Sequence, residues 1–250
     1  MDAATAIALL AFAVGVGAYG TIIGAGGGFL LIPGLILLFD LDGAEAVGTG
    51  VVTLLAIGVS GASAYDRAGL VDRAAAGWFA IGTVPVAMFC GWWLSARIDR
   101  AVFADVLGGL LLALALFVVL MPTAEPGPNQ RAHRRLRVLP VGGAVVGFLS
   151  GTFAVGGGLV TLPIVARARG LGPHRAAATT AAASMLGTIG GATGHIVAGN
   201  VMWSRAALLI TGAVTGSAVG ARSAGRVPPR GVLVLVALGL LGAGIPLLVA

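Results

Sequence analysis

The sequence predicts an all-α polytopic membrane protein built from two inverted repeats of about five helical segments each, with a short, broken second helix in each repeat. Its composition is the first observation behind this prediction: 58% of the 250 residues are hydrophobic and 10% are charged. A soluble domain carries about 25% charged residues, so lipid must be much of the solvent. In a membrane, all backbone N–H and C=O groups of a spanning segment form hydrogen bonds only in helices or closed barrels. The apolar runs lack the alternation of apolar and polar residues that barrel strands have.

An internal repeat is the second observation. Shifting the chain by 130 positions aligns its two halves without a gap. The aligned pairs are Gly17 and Gly147, Gly26-Gly27-Gly28 and Gly156-Gly157-Gly158, Pro33 and Pro163, Thr49 and Thr179, Gly61 and Gly191, Gly69 and Gly199, and Gly82 and Gly212. Two triple glycines at the same distance from a proline are unlikely to match by chance, so the halves are predicted to be copies of one unit.

The apolar segments follow one another in the same order in both halves. The first half, 1–121, contains segments at 4–24, 28–39, 44–65, 74–96 and 101–121. The second half, 141–250, has its segments at about 138–155, 158–166, 174–198, 204–222 and 231–249. Between them, the proline- and arginine-rich stretch 122–140 is predicted to be a linker. The first segment is interpreted as a membrane span rather than a cleaved leader, because Asp2 stands where a leader carries positive charge.

The arginines, which are the only basic residues besides histidine, predict the topology. Cytoplasmic loops are enriched in arginine. If all ten segments cross, twelve arginines lie on the side of the linker and three on the other; if the short segments do not cross, the division is seven to eight. The first arrangement places the linker in the cytoplasm, and five crossings per half make the repeats inverted. These arginines are therefore interpreted as topology signals rather than as a nucleic-acid surface.

The two glycine motifs, AGGGFLLIP at 25–33 and VGGGLVTLP at 155–163, are the strongest candidate site. Consecutive glycines break a helix and leave amide groups unshielded, and a helix that begins just after them directs its positive end toward them. Inverted breaks of this kind meet near the membrane midplane in transporters. We therefore predict that Gly26, Gly27, Gly28, Gly156, Gly157 and Gly158 bind a small anion, with Pro33 and Pro163 in structural roles.

Hydroxyl and titratable side chains within the apolar segments extend the candidate site. Thr49, Thr179 and Thr180 begin the third segment of each half, and Ser63 and Thr193 align further along it. These five residues are predicted to contact the substrate, although a hydroxyl in a membrane also bonds readily to its own helix. His195 and its aligned partner Tyr65 are candidates for a proton relay, with placement of His195 at the membrane interface as the alternative.

The chemistry missing from the spans narrows the function further. No carboxylate occupies the middle of a predicted span, which favours an anionic over a cationic substrate. No metal is predicted, because no His, Cys or Asp cluster has the spacing of metal ligands. No cofactor or nucleic-acid partner is predicted either. Two alternatives remain open: an intramembrane serine protease, since Gly58-Val59-Ser60-Gly61 has the GxSG pattern, and a passive anion channel.

The motifs GAGGGFLLIPGL, GTG at 48–50, SAYDRAGLVDR and TGHIVAGNVMW resemble those of the sulfite exporter TauE/SafE family, also called the toluene-sulfonate uptake permeases. The resemblance covers both halves. It implies a proton-coupled, multi-pass permease of the bacterial or archaeal inner membrane for sulfite, sulfonates or related organosulfur anions. Family members often have Thr-Ser where this chain has Thr49-Gly50, and are often described with eight spans rather than ten.

Overall fold

Ten α-helices account for most of the chain in the computed structural model, which describes residues 2–23, 26–120, 136–155, 157–224 and 229–249. The helices are α1 (Ala3–Ile23), α2 (Gly28–Phe39), α3 (Gly43–Arg67), α4 (Arg73–Phe89), α5 (Arg100–Leu120), α6 (Leu139–Phe153), α7 (Thr161–Arg169), α8 (Pro173–Val197), α9 (Trp203–Ala224) and α10 (Pro229–Val249). A π-helical turn, Cys90–Leu94, and a 3₁₀ turn, Ser95–Arg97, continue α4. The described residues contain no strand, so the predicted all-α membrane fold is confirmed.

Helix length separates eight long helices from two short ones among the described residues. Six have the length and apolarity to cross a membrane: α1, α3, α4 with its π turn, α5, α6 with the turn before it, and α10. Helices α8 and α9 are as long but less apolar. In contrast, α2 has 12 residues and α7 has 9. They extend about 18 and 14 Å, so neither can cross a hydrocarbon layer of about 30 Å alone.

The predicted second segment of the second half is misplaced by three residues. A helix was expected over 158–166, whereas α7 covers Thr161–Arg169. Residues 157–160 form turns instead, since glycine loses the most conformational freedom when it enters a helix. Of the predicted linker 122–140, residues 122–135 lie outside the described residues, and α6 already begins at Leu139.

Helix packing pairs the halves with each other. Helix α1 packs along α9, and α6 packs along α4. A Cβ atom at Gly17 would overlap the backbone of Ala213, and one at Gly147 would overlap that of Thr83. The 130-residue shift relates Gly17 to Gly147 and Thr83 to Ala213. The first half therefore contacts the second through Gly17 in the same way as the second contacts the first through Gly147. Two copies of one unit that are related by a two-fold axis make such paired contacts.

Charged residues mark the two ends of the bundle. Helix α3, about 37 Å long, separates them. At its first residue lies what we call the acidic-loop end, where Arg100 pairs with Asp40 and Asp42. At its last turn lies the arginine end, where Arg73 pairs with Asp66, Arg169 pairs with Asp72, and Arg175 lies beside them. Arg73, Arg169 and Arg175 therefore share one end of the bundle, and Arg100 lies at the other.

Candidate substrate-binding cavity

A cavity of about 600 Å³ lies between the two halves. Helices α1, α3, α8 and α9 form its walls, and both glycine breaks contribute to its lining. Toward the arginine end its lining includes Gly61 and Tyr65, which are exposed, whereas Val51, Thr83 and Gly191 on the opposite side are buried. The cavity thus has a mouth toward the arginine end and a closed floor toward the acidic-loop end.

The first glycine break reaches the cavity through backbone that only glycine adopts easily. Gly26 and Gly27 have φ angles of +78° and +74°, which are strained for residues with a side chain. The backbone N–H of Leu31 donates to the Gly27 carbonyl at 3.0 Å and so starts α2. Gly26 and Gly28 line the cavity. Gly27 instead packs on Val16, whose Cγ1 would lie 3.2 Å from an added Cβ.

The second break has the same glycines but a different local structure. Ala154, with φ +53°, ends α6. Gly157 and Gly158 line the cavity from the turns that follow, and Ser184 donates to the Gly157 carbonyl at 2.5 Å. Gly156 lies outside the described residues. Helix α7 begins at Thr161, and the Gly158 carbonyl accepts the backbone N–H of Leu162 at 3.2 Å, so this helix starts farther from its glycines than α2 does.

The two breaks touch each other. A Cβ atom at Gly28 would overlap the carbonyl oxygen of Ala154, the residue that ends α6. This contact joins the start of α2 in one half to the start of the second break in the other. Gly28, Gly157 and Gly158 therefore lie beside one cavity.

Thr180 presents a buried hydroxyl to the cavity. The residue is 4% exposed, lines the cavity, and its Oγ1 has no hydrogen-bond partner among the described residues. Other lining hydroxyls donate to their own helices: Thr21 to the Gly17 carbonyl and Thr188 to the Ser184 carbonyl, both at 2.8 Å. An unsatisfied buried hydroxyl costs about 1–3 kcal/mol. Thr180 is therefore available to a ligand in a way that these hydroxyls are not.

Thr49 and Thr179, two further predicted contacts, do not line the cavity. The Thr49 hydroxyl accepts the backbone N–H of Met202 at 3.1 Å, and the Thr179 hydroxyl accepts that of Asp72 at 2.9 Å. The 130-residue shift relates both the threonines and the donors. Each threonine thus anchors the loop that precedes α9 or α4, and both lie outside the site that we propose below.

The remaining candidates are divided between the two ends of the bundle. Ser63 and Thr193 do not line the cavity; Arg67 donates to the Ser63 hydroxyl at 3.5 Å, and Thr193 donates to the Ile189 carbonyl at 2.8 Å. Tyr65 lies at the mouth, 41% exposed. His195 is fully buried, outside the lining, with Nε2 2.9 Å from the Gly151 carbonyl. The structure therefore does not bring the two members of the predicted relay together.

Both prolines of the glycine motifs lie within short helices. Pro33 is buried in the interior of α2. Pro163 is half-buried in the first turn of α7, where the missing N–H removes no helical hydrogen bond. Neither side chain lines the cavity.

One face of α8 carries cavity residues that the sequence argument missed. Ala177, Ala181, Ser184 and Thr188 line the cavity together with Thr180. Their spacing of three and four residues places them on one helical face. A stripe of small and hydroxyl residues at this spacing in a membrane helix is the signal that could have predicted this wall from the sequence.

Asp72 organises the charged groups near the mouth. Its carboxylate accepts the backbone N–H of Ala75 at 3.0 Å, which caps α4, and pairs with Arg169 Nε at 2.8 Å. Partial burial acts to raise the pKa of Asp72, but the hydrogen bond from Ala75 and the charge of Arg169 lower it more. The pKa of Asp72 is therefore below its usual value, and the carboxylate stays ionised at neutral pH.

A helical bundle with a cavity between its two halves, reached from one end, defines a multi-pass membrane transporter. The model of the sulfite exporter TauE/SafE family matches residues 8–247. The chain therefore belongs to this family, as its motifs predicted, and its relatives are named as transporters, which is why the protease alternative is set aside.

Three relatives extend the comparison. The probable membrane transporter protein YunE of Bacillus subtilis is 29% identical over 82% of this chain and 83% of its own length. A probable membrane transporter protein of Methanocaldococcus jannaschii is 29% identical over 73% of this chain and 69% of its own. A probable membrane transporter protein of Haemophilus influenzae is 26% identical over 89% of this chain and 87% of its own length. No solved structure is significantly similar to this chain.

Proposed function

We propose that this protein is a permease of the cell's inner membrane that carries a small anion, of the sulfite, sulfonate or related organosulfur class, through the cavity between its halves. The observation that carries the proposal is the convergence of Gly26, Gly28, Gly157 and Gly158 with Thr180 on one cavity. Amide groups at the start of α2 and an unpartnered hydroxyl offer hydrogen-bond donors, which is what an anion requires.

The charges around the cavity agree with an anionic substrate. No carboxylate lines the cavity among the described residues, so an anion would meet no like charge on its walls. Three arginines, Arg73, Arg169 and Arg175, lie at the arginine end, where the mouth is. Asp66 pairs with Arg73 and Asp72 pairs with Arg169, so Arg175 leaves this group with a net positive charge. A net positive charge raises the local concentration of anions, and we infer that it guides the substrate to the mouth.

The proposed orientation follows from the same arginines. Short loops rich in arginine face the cytoplasm, so we assign the arginine end and the linker to the cytoplasm. With inverted repeats, this is a state open to the cytoplasm and closed to the other side. The buried floor at Val51, Thr83 and Gly191 supports a carrier that exposes its site to one side at a time over a continuous channel.

Binding and uptake measurements test the proposal in two steps. Sulfite, sulfate, thiosulfate, sulfoacetate and taurine are added to the purified protein, and a ligand that binds only the folded state raises the midpoint of thermal unfolding. The anion that binds is then offered to proteoliposomes with and without a pH gradient. We expect accumulation that requires the gradient. Equilibration without accumulation would indicate a passive channel, and no binding by any of the five anions would contradict the proposed substrate class.

A further inference from the structure

A buried polar cluster lies directly beyond the floor of the cavity, outside the site proposed above. It consists of His195 on α8, Asn200 in the loop before α9, Ser95 after the π turn of α4, and the Gly151 carbonyl of α6. We call it the floor cluster. His195 is one helical turn beyond Gly191, the lining residue at the floor. The cluster therefore separates the cavity from the acidic-loop end.

The hydrogen bonds of the floor cluster fix the state of the histidine. A carbonyl only accepts, so Nε2 of His195 must carry the proton that it donates to Gly151 at 2.9 Å. Nδ1 then accepts from the Asn200 amide, 3.3 Å away. The same amide lies 3.5 Å from the Ser95 hydroxyl, which donates to the Gly91 carbonyl at 3.0 Å. The imidazole thus joins two segments of the second half, and the Asn200 amide links them to Ser95 of the first half.

Close packing supports these hydrogen bonds. A Cβ atom at Gly91 would lie 2.8 Å from Cδ2 of His195, so the ring fits only because this position is glycine. A Cβ at Gly48 would lie 2.5 Å from the Asn200 carbonyl oxygen. His195 is fully buried, so its ring is enclosed by packed atoms at this end of the cavity.

The repeat shows what the equivalent positions do at the other end. The 130-residue shift relates His195 to Tyr65, and Gly151 to Thr21. Tyr65 and Thr21 both line the cavity, and among the described residues no hydrogen bond joins the Tyr65 side chain to the Thr21 carbonyl. The bond between His195 and Gly151 beneath the floor therefore has no counterpart on the side of the mouth.

We propose that the floor cluster is the gate that holds the acidic-loop end closed, and that the bond between His195 and Gly151 must break before the cavity opens to that side. The inference rests on the proposed function, because a carrier must open its two ends in turn. Gly151 lies three residues before Ala154, whose carbonyl touches Gly28. Release of this bond would thus free the segment that joins the gate to both glycine breaks.

The chain's single cysteine provides a reporter of the gate. Cys90 is 3% exposed and begins the π turn that contains Gly91. Its reaction with a membrane-impermeant methanethiosulfonate, measured in proteoliposomes of known orientation, reports how often this end opens. Removing one hydrogen bond changes an opening equilibrium by about tenfold, so we expect His195→Ala to accelerate labelling about tenfold, from the face at the acidic-loop end only.

Matched variants distinguish a gate from general loosening. His195→Gln retains a donor for the Gly151 carbonyl and should restore labelling toward the wild-type rate. Thr211→Ala, at an exposed position of α9 that bonds to its own helix and lies outside the cavity and the floor cluster, should leave the rate unchanged. Equal acceleration from both faces would indicate a loosened fold and would overturn the proposal.

A second variant keeps the test decisive if His195→Ala does not fold. Asn200→Ala removes the partner of Nδ1 and should also accelerate labelling. Wild-type labelling rates in the folded Asn200→Ala and His195→Ala proteins, with unchanged thermal unfolding, would overturn the gate. If an anion binds and is transported while these rates stay unchanged, only the gate fails. If the rates rise but none of the five anions binds, only the substrate class fails.

Discussion

The two glycine breaks share one sequence pattern and have different structures. In the first half, left-handed Gly26 and Gly27 lead directly into α2 at Gly28. In the second half, the left-handed residue among those described is Ala154, and the turn residues 157–160 lie between it and α7. The first break therefore presents the start of a helix to the cavity, whereas the second presents turn backbone. Repeated sequence positions can thus supply different groups to one site.

The difference extends to the hydroxyl that faces the cavity. Thr180 in the second half corresponds to Gly50 in the first. A Cβ atom at Gly50 would overlap Cδ1 of Ile32, so this position in the first half is already filled. The site is consequently asymmetric: the first half contributes a helix start, and the second contributes a free hydroxyl. Substitutions at matched positions of the two halves test this asymmetry.

The largest expected difference in stability is between two alanine substitutions, one in each glycine break. Gly28→Ala would drive a Cβ into the Ala154 carbonyl and should destabilise the protein by about 1–3 kcal/mol. In Gly157→Ala the new Cβ would lie 3.4 Å from Ser184, an ordinary contact, and stability should change by less than about 0.5 kcal/mol. Thermal or denaturant unfolding in detergent measures both changes. Equal costs at the two positions would show that the breaks are not structurally different.

Thr180→Val should weaken anion binding about tenfold, since a hydrogen bond to a charged group contributes about 1.5–3 kcal/mol. Stability should stay the same or increase, because the variant removes a buried hydroxyl without a partner. Thr53→Val is the matched control: Thr53 is buried and donates to the Thr49 carbonyl, away from the cavity. Calorimetric titration with the anion measures the affinities. An unchanged affinity in Thr180→Val would exclude this hydroxyl from the site.

Thr49→Val and Thr179→Val should have equal and moderate effects. Each removes the acceptor of one loop N–H, from Met202 or from Asp72, at a cost of about 1 kcal/mol. Anion affinity should remain that of the wild type, because neither threonine lines the cavity. A loss of anion affinity without a loss of stability would show that Thr49 and Thr179 contribute to anion binding.

The smallest expected effect is a pH dependence of stability that comes from the loop at Asp72 and not from the matched loop at Met202. Asp72 has a lowered pKa in the folded protein, so its stabilising contribution is complete above the unfolded pKa of about 4 and is lost as the pH falls through the folded value. Stability should decrease by about 1 kcal/mol or less below pH 4. Met202 occupies the matched position. Asp72→Asn should remove this loss of stability at low pH. The same dependence of unfolding stability on pH in the variant and the wild type would contradict the role of Asp72.

Much of the fold could be predicted from the sequence because apolar length and repeat spacing act locally. Ten segments, two of them short, follow from the positions of apolar runs, glycines and prolines. The start of α7 was not predictable from the same signals, because identical triple glycines precede α2 and the turns before α7. Tertiary contacts, such as that of Ser184 with Gly157, decide between the two.

The site could be predicted only in part. The triple glycines could be located because consecutive glycines break a helix, and the described ones border the cavity. Hydroxyl residues were less informative: Thr179 and Thr180 are neighbours, yet a helix directs their side chains about 100° apart. One bonds to the loop at Asp72, and the other faces the cavity. Which face of α8 is directed inward depends on packing with α3 and α4, which one sequence does not reveal.

One measurement tests most directly whether the two halves form a single anion site. Cysteines are introduced separately at Gly61, in the first half, and at Gly157, in the second; both positions line the cavity and have room for a Cβ. The rate of thiol modification is then measured against anion concentration, with Gly15→Cys on α1 as the control outside the cavity. We expect the anion to protect both cavity cysteines with the same half-saturating concentration and to leave the control unchanged. Protection of one cysteine alone, or at clearly different concentrations, would contradict a site shared between the halves.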